Sequence, residues 1–212
     1  MDRRQSALLL ALTAITLAVG AWVLHPFGET RLPAALRTDA GSQQGAATTE
    51  LPAPADVQAA MEEAASSGFR VRIPAVGISA PLQWLQARPG NADLPAPQAP
   101  SVAGMVGGLT VDEGRHRLIV GHVNWHTGEE AVFARLAKVE PGDIVMLDHR
   151  GTHRAYRVRS VTDVDAATTP VSAVLPDGPG DTITLMTCSG DYVPSLGMYA
   201  TRRVVTADAV EF

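Results

Sequence analysis

Six short runs of alternating or β-branched apolar residues limit what this chain can fold into. The first, Phe69–Ile73, alternates apolar and polar side chains with the period of a half-buried strand. The others span residues 118–123, 143–148, 155–164, 182–187 and 203–207. Turns that contain proline and glycine separate the runs, which predicts an all-β domain, either a closed antiparallel barrel or a sandwich. One segment, residues 129–137, has helical spacing and predicts a short helix.

The N-terminal segment has the pattern of a membrane anchor. Arg3 and Arg4 precede residues 7–24, a run of eighteen residues without a charge. As a helix this run would extend about 27 Å, close to the ~30 Å thickness of a hydrocarbon core. We therefore expect residues 1–27 to form an uncleaved transmembrane helix with a cytoplasmic tip. The alternative is a cleaved signal peptide with its site near residues 18–20. In both interpretations, the rest of the chain is expected to be exported across the membrane.

The segment that follows is rich in alanine, proline and glutamine and lacks apolar periodicity. Residues 28–67 are therefore predicted to be a flexible tether. Within it, residues 56–65 could form a short helix capped by Asp56, but with too little apolar surface to hold it in place. The globular domain is predicted to span residues 68–212.

Charge and composition exclude two broad classes. The chain has 17 basic and 22 acidic residues, a net charge of −5, and its basic residues are scattered. Nucleic-acid binding is therefore not expected, because it requires a basic face. Hydrophobic residues make up 46% and charged residues 18% of the sequence, which excludes wholesale disorder.

Cys188 is the only cysteine of the chain, so an internal disulfide or a cysteine-rich zinc site is excluded. An unpaired thiol outside the cell is unusual, although free cysteine also serves as a small buried hydrophobe. Cys188 follows the predicted strand 182–187 and precedes a predicted turn at residues 189–191. This position at a strand end favours a thiol that faces a cleft.

Thioester chemistry at Cys188 would need a proton carrier, for which histidine is suited by its pKa. Four of the six histidines are expected to be solvated or at the membrane boundary: His25, His116, His149 and His153. His122, which ends an apolar strand, is favoured over His126 in the following loop. The two are four residues apart, but no glutamate or third ligand accompanies them, so no metal site is expected.

Several motifs resemble those of one enzyme family. The sequence Thr-Leu-Met-Thr-Cys at residues 184–188 fits the TLxTC motif of the sortases. Residues 118–122 resemble the strand that carries the sortase histidine, and residues 71–77 resemble the opening strand of the family. Residues 133–136 and 141–143 are similar to the segment after the histidine, and residues 188–192 resemble the TCGG-type variant of the actinobacterial class F enzymes.

This resemblance implies a fold and an activity. The fold would be a closed eight-stranded sortase-type β-barrel with one or two short helices, preceded by the transmembrane helix. Sortases of Gram-positive bacteria are membrane-anchored extracytoplasmic cysteine transpeptidases that recognise LPxTG-type sorting signals on secreted proteins. Cys188 would form the thioester and His122 would carry the proton. The acyl group would pass to an amine acceptor, either a cell-wall precursor or a pilin lysine. No cofactor is expected, and no acidic cluster supports calcium binding.

Arginine, with its permanent charge, suits the role of oxyanion partner. Adjacent strand side chains face opposite sides, so only one of Arg202 and Arg203 can point at Cys188. The family's spacing of five residues from a glycine matches Gly197 and Arg202, while Arg203 stays as the alternative. By the same resemblance, Thr187 is a second oxyanion-side or substrate-positioning group; its alternative is an ordinary strand residue.

The segment 160–181 is long and is expected, by analogy, to lie beside the groove that reads the sorting signal. Its candidate apolar wall consists of Val171, Val174 and Leu175. Two other functions stay open: a non-catalytic, membrane-tethered binding barrel, and an exported cysteine peptidase that acts mainly as a hydrolase. An L,D-transpeptidase is disfavoured because its SHGC-type motif is absent around Cys188.

Overall fold

Eight strands form a closed barrel in the computed structural model, which describes residues 52–88, 94–107, 116–176 and 180–210. The strands are β1 Phe69–Ile73, β2 Ile78–Gln86, β3 Ala103–Gly107, β4 His116–Val120, β5 Ile144–His149, β6 Thr152–Asp165, β7 Thr182–Val193 and β8 Met198–Val210. Their order around the barrel is β1-β2-β3-β4-β7-β8-β6-β5, and β5 pairs back onto β1. The predicted anchor at residues 1–27 and the first part of the predicted tether lie outside the described residues.

All six predicted strands are present, β1 with the predicted ends and the other five with shifted ends, whereas β2 and β3 were not predicted. β2 contains Pro81 and β3 contains two glycines, and both residue types are uncommon in strands. Gly104 of β3 is needed for close packing, because a Cβ atom there would lie 2.1 Å from Cδ1 of Leu85. The barrel is also not purely antiparallel, since β2 pairs parallel with β3, and β4 pairs parallel with β7.

Two apolar clusters lie on opposite faces of the barrel wall. One set of alternating side chains fills the interior, including the fully buried Ile119 of β4, Leu185 of β7 and Val205 of β8. The neighbouring residues point outward and form a second cluster on the outer face of β2, β3, β4, β7 and β8. The segment between β6 and β7 packs onto this outer cluster through Val171, Val174 and Leu175. The outer face of these strands is therefore partly covered.

The helix predicted over residues 129–137 is replaced by a loop and a short 3₁₀ turn at Ala134–Lys138. Asn124 and Glu130 pair as an isolated bridge, so the chain turns back on itself where a helix was expected to begin. The apolar residues at helical spacing are used differently, because Phe133 and Leu136 are fully buried in the barrel interior. Burial at the barrel, rather than helical periodicity, accounts for their spacing.

Part of the predicted tether is folded. Residues Pro54–Ser67 form an α-helix (α1) that lies against β2, so the expectation of a flexible segment up to residue 67 is wrong over this range. Its small contact face, Ala60 and Ala64, packs closely on Ala99 and Val102. Among the described residues, no helix is long and apolar enough to cross a membrane.

Polar contacts also hold α1 in place. The Gln83 side chain of β2 is 7% exposed, and its Nε2 donates a 3.0 Å hydrogen bond to Oε2 of Glu63. The Ser67 hydroxyl lies 2.8 Å from the Leu82 carbonyl and accepts a hydrogen bond from the Phe69 amide. These hydrogen bonds add to the binding of α1, whose apolar contact face is small. The sequence pattern did not indicate these hydrogen bonds.

The docking of α1 gives a test of the revised boundary. Ala64→Asp would place a carboxylate in an alanine-sized contact, where no partner neutralises it, so we expect α1 to leave the barrel. Hydrogen-exchange protection of residues 54–67 should fall at least about tenfold, the effect of about 1.4 kcal/mol. Ala65→Asp, on the exposed side of the same helix, is the matched control and should keep its protection. Equal protection in the two variants would contradict this packing.

Candidate active site

The candidate catalytic side chains lie next to a row of three apolar side chains on the outer face of the barrel, two residues away along each chain segment. The row consists of Val120 of β4, Met186 of β7 and Val204 of β8, which pair in register. Cys188 follows the row by two residues on β7, and Arg202 precedes it by two residues on the antiparallel β8. Both therefore face the same side as the row. His122 lies two residues after the last residue of β4.

These three side chains line one cavity of about 260 Å³. Its walls are mainly apolar and come from β4, β7, β8, the segment before β3 and the segment between β6 and β7: Leu94, Pro95, Val120, Val171, Val174, Met186 and Met198. Of the predicted apolar wall, Val171 and Val174 line the cavity, whereas Leu175 lies beneath it as a buried residue of the outer cluster. The cavity thus offers a thiol, an imidazole and a guanidinium within an apolar groove.

Cys188 lies inside β7 and not at a strand end, because β7 continues to Val193. The β7–β8 register shifts after Ser189, so a bulge immediately follows the thiol. Partial burial raises the pKa of the Cys188 thiol, and the Arg202 guanidinium lowers it in part. Burial therefore favours the neutral thiol, and nearby positive charge favours the thiolate.

His122 is held by a backbone carbonyl. Its Nε2 lies 2.8 Å from the Pro97 oxygen, and because a carbonyl only accepts, Nε2 carries the proton. The Trp125 ring packs edge-on at 5.1 Å between centroids. Burial lowers the pKa of His122, and the hydrogen bond to Pro97 raises it in part. Within the described residues Nδ1 has no hydrogen-bond partner, which leaves it available for proton exchange.

The two candidate arginines have separate surroundings. Arg202 pairs opposite Cys188, lines the cavity and donates from Nη1 to the backbone oxygens of Tyr199 and Thr201 at 3.3 Å. Among the described residues, no carboxylate pairs with Arg202. Its positive charge is therefore available to an anion that forms in the cavity.

Arg203 has the opposite orientation and is already paired. Its Nε lies 2.9 Å from Oδ1 of Asp163, and its Nη2 lies 2.5 Å from Oδ2. The Ala137 carbonyl accepts a further hydrogen bond at 2.9 Å. The arginine holds the pKa of Asp163 below its usual range. Arg203 is thus a structural ion-pair residue, not the freely solvated charge expected for the arginine outside the site.

Thr187 also lines the cavity, but its hydroxyl proton is already used in a hydrogen bond. The residue is 5% exposed, and its Oγ1 lies 2.8 Å from the backbone oxygen of Gly121. The side chain therefore connects the strand of the thiol to the segment of the histidine. This contact differs from the oxyanion or substrate contact that the resemblance implied for Thr187.

His25 lies outside the described residues. The other described histidines do not line the cavity; His126 and His153 are exposed, whereas His116 and His149 are partly buried. His116 is half-buried beside Thr182 and Thr184, His149 stacks on Phe69 at 3.8 Å, and His153 contacts Asp148 at 2.6 Å. His126 packs on Trp125 at 4.7 Å. Within the described part of the chain, no group of three or more potential ligand side chains could hold a metal ion.

Sequence reasoning missed two parts of the site. Pro97, whose carbonyl fixes the imidazole, belongs to a proline-containing loop that carried no chemical signal beyond its turn composition. Trp125 directly precedes His126 in the sequence, but its contact with His122 depends on the path of the loop. Backbone acceptors and loop aromatics give no periodic pattern, so the sequence offered no means to assign them.

Comparison with known proteins identifies the family and the fold of this domain. The sortase domain family model matches residues 71–210. Sortase C-1 of Actinomyces oris is 22% identical, with a TM-score of 0.53, and the match covers 76% of this chain and 85% of that chain. Sortase C-1 of Streptococcus pneumoniae is 18% identical, with a TM-score of 0.52, and the match covers 76% of this chain and 92% of that chain.

A third solved structure, sortase A of Listeria monocytogenes, is 16% identical, with a TM-score of 0.50, and the match covers 68% of this chain and 88% of that chain. At these identities the three likenesses show a shared fold. No curated protein sequence matches the chain. The family match runs from β1 to the last residue of β8 and covers well over half of the chain. This protein therefore belongs to the sortase family.

Proposed function

We propose that this protein is a membrane-anchored extracytoplasmic cysteine transpeptidase that cleaves an LPxTG-type sorting signal. The observation that carries the proposal is that Cys188, the only cysteine, shares one apolar cavity with His122 and Arg202. A thiol, a proton carrier and an unpaired cation are the groups that acyl transfer through a thioester requires.

The first half-reaction forms the thioester. The Cys188 thiolate attacks the carbonyl carbon of the scissile threonine, and the carbonyl electron pair moves onto oxygen. The Arg202 guanidinium balances this negative charge. As the carbon–nitrogen bond breaks, the His122 imidazolium donates its Nδ1 proton to the departing amine. The products are a thioester on Cys188, a released amine and a neutral imidazole.

The second half-reaction transfers the acyl group. An incoming amine attacks the thioester carbon, and Nδ1 of His122 accepts its proton. The carbon–sulfur bond breaks and returns the thiolate. Because the thioester retains the free energy of the cleaved peptide bond, transfer to an amine can compete with hydrolysis. The acceptor is a cell-wall precursor or a pilin lysine.

The cavity walls support recognition of a mainly apolar peptide. Val171 and Val174 face the groove, and Leu175 supports them from the outer cluster. Among the described lining residues, Arg202 and the protonated His122 carry positive charge and no carboxylate is present, so the rest of the groove suits an uncharged segment. The apolar residues of the sorting signal would contact Val171 and Val174.

Two finer assignments rest on sequence motifs. The residues after the thiol, Ser189 to Tyr192, favour the class F type, and the uncharged run 7–24 favours a single-pass anchor with the catalytic domain outside the cell. Recovery of the full-length chain in membranes supports the anchor, and a mature N-terminus between residues 20 and 33 would contradict it.

Peptide-library cleavage with a screen of amine nucleophiles tests the reaction itself. Amide products formed with an added amine support a transpeptidase. Cleavage without transfer to any amine would indicate the hydrolase alternative. Absence of both cleavage and acyl-enzyme would indicate the non-catalytic binding barrel.

Cys188→Ala is expected to abolish the acyl-enzyme while leaving the fold intact. The thiol is only partly buried, so its removal should cost less than the ~2–5 kcal/mol of a typical core truncation. Intact-mass spectrometry after incubation with an LPxTG-type peptide measures the adduct, and thermal unfolding provides the control for folding. An adduct that persists in Cys188→Ala would refute the assignment of the nucleophile.

The two arginines should separate by function. Arg202→Ala is expected to lower kcat/KM by roughly 10²–10³, the usual effect of losing one oxyanion donor. Arg202→Lys should not restore most of this loss, because lysine lacks the planar fork of donors. Arg203→Ala is the matched control: it should stay within a few-fold of wild type in kcat/KM while its unfolding temperature falls, because Asp163 loses its partner. A large loss of turnover in Arg203→Ala but not in Arg202→Ala would assign the oxyanion partner to Arg203 instead of Arg202.

The two pKa shifts predict a broad pH optimum. The active form needs the Cys188 thiolate, whose fraction rises with pH, and the His122 imidazolium, whose fraction falls with pH. Because burial raises the pKa of Cys188 and lowers the pKa of His122, the product of the two fractions is constant between these pKa values. We expect kcat/KM to be flat from below about pH 6.5 to above about pH 8.5, the ordinary values of the two groups.

The limits of this plateau identify the groups. The low-pH limb should follow the pKa of His122 and the high-pH limb that of Cys188. Arg202→Ala removes a positive charge beside the thiol, so its high-pH limb should move to higher pH. A narrow bell confined between about pH 6.5 and pH 8.5 would contradict the burial of the two groups.

A further inference from the structure

The backbone pairing that joins the histidine segment to the thiol strand ends immediately before the site. The last paired residues of β4 and β7 are Val120 and Met186. One more backbone hydrogen bond follows, from the Gly121 amide to the Met186 carbonyl at 3.1 Å. Beyond this hydrogen bond, the two segments that carry His122 and Cys188 are not paired as strands, so strand pairing does not fix the distance between them.

Gly121 makes this segment both closely packed and intrinsically flexible. A Cβ atom at this position would lie 2.5 Å from Cδ2 of Phe133 and 2.9 Å from Cγ1 of Val132, so only glycine fits. Glycine, however, restricts its own backbone dihedrals less than any other residue. Because the position must be glycine, the dihedral angles of Gly121 do little to constrain the orientation of the following peptide unit, which joins Gly121 to His122.

The Thr187 hydroxyl supplies that constraint. It donates to the Gly121 carbonyl at 2.8 Å from a side chain that is 5% exposed. The Gly121 carbonyl and the His122 amide belong to one planar peptide unit, so fixing the oxygen also fixes the direction in which His122 leaves the backbone. The contact therefore acts as one additional hydrogen bond between the thiol strand and the histidine segment.

The other contacts of His122 also restrain it, but they do not connect it to β7 as the Thr187–Gly121 hydrogen bond does. Its own carbonyl accepts a hydrogen bond from the Phe133 amide at 2.9 Å, and its Nε2 donates to Pro97. Both partners belong to loops outside β7. Among the described contacts, Thr187 therefore makes the side-chain link between the histidine segment and the strand that carries Cys188.

We propose that Thr187 is a positioning residue that acts through His122, by locking the Gly121–His122 peptide unit against β7, and not a donor to the oxyanion. This inference rests on the proposed cysteine chemistry. It requires the hydroxyl but no contact with the substrate, so it predicts changes in the free enzyme. A donor to the oxyanion would change turnover while leaving the unliganded thiol and imidazole as they are.

Thr187→Val, which keeps the shape and removes the hydroxyl, is the decisive variant. We expect kcat to fall about 10–10²-fold with KM changed no more than about threefold, the effect of a misplaced catalytic group. Thr187→Ser keeps the donor and should remain within a few-fold of wild type. Thr184→Val is the matched control, because it removes a buried hydroxyl of the same strand that contacts His116 and not the site.

Two measurements on the free enzyme separate positioning from oxyanion binding. Iodoacetamide alkylates a thiolate by direct displacement of iodide, so no oxyanion forms. In Thr187→Val the His122-dependent inflection in the pH profile of Cys188 alkylation should shrink. The NMR titration of the His122 ring proton should shift as well. Both should return to wild-type behaviour in Thr187→Ser and stay unchanged in Thr184→Val.

Three results would overturn the inference. The first is a loss of turnover in Thr187→Val with an unchanged alkylation profile and titration, which would assign the hydroxyl to the substrate. The second is an equal loss in Thr187→Ser, and the third is wild-type behaviour in Thr187→Val. If the wild-type protein itself shows no acyl transfer, the proposed function fails, while alkylation and NMR still decide the role of Thr187.

Discussion

β4 and β7 run parallel, and their register places Val120 beside Met186. This pairing brings two segments that are more than sixty residues apart in sequence to the same edge of the barrel. His122 and Cys188 each follow the paired residues by two positions, so neither can reach the cavity unless this register is kept. β8 then pairs with β7 and adds Arg202 opposite the thiol. The geometry of the site is therefore a consequence of strand register across three neighbouring strands.

The cavity combines apolar walls with the Arg202 guanidinium, which has no carboxylate partner among the described residues, and the two features affect the reaction in opposite ways. Burial disfavours the charged forms of Cys188 and His122, as the directions of their pKa values show. The same low-polarity surroundings strengthen the attraction between the Arg202 guanidinium and a negative charge that forms beside it. Burial thus favours the neutral thiol before reaction, and the oxyanion of the proposed reaction would be stabilised. Arg203 cannot serve in this way because Asp163 already neutralises it.

Much of the site was accessible from the sequence because chemical identity and strand alternation are local properties. The single cysteine, the histidine after an apolar strand and the expectation that only one of two adjacent arginines faces the thiol follow from residue type and the two-residue period of a strand, whereas the choice of Arg202 came from the family's spacing to Gly197. Within the fold, strands with β-branched alternation were predicted correctly. By contrast, β2 and β3 depend on close packing between Gly104 and Leu85, and α1 depends on alanines that only a matching surface can bury.

The sequence by itself indicated Cys188, His122 and Arg202 as candidate site residues and determined that the domain is built from strands. Only the tertiary structure decided which contacts hold those residues: the Pro97 carbonyl at His122, the Thr187 hydroxyl at Gly121 and the Asp163 carboxylate at Arg203. The physical reason is that residue type and periodicity act over a few positions along the chain. Hydrogen-bond partners are set by loop paths and barrel closure, which join residues 25 to 66 positions apart.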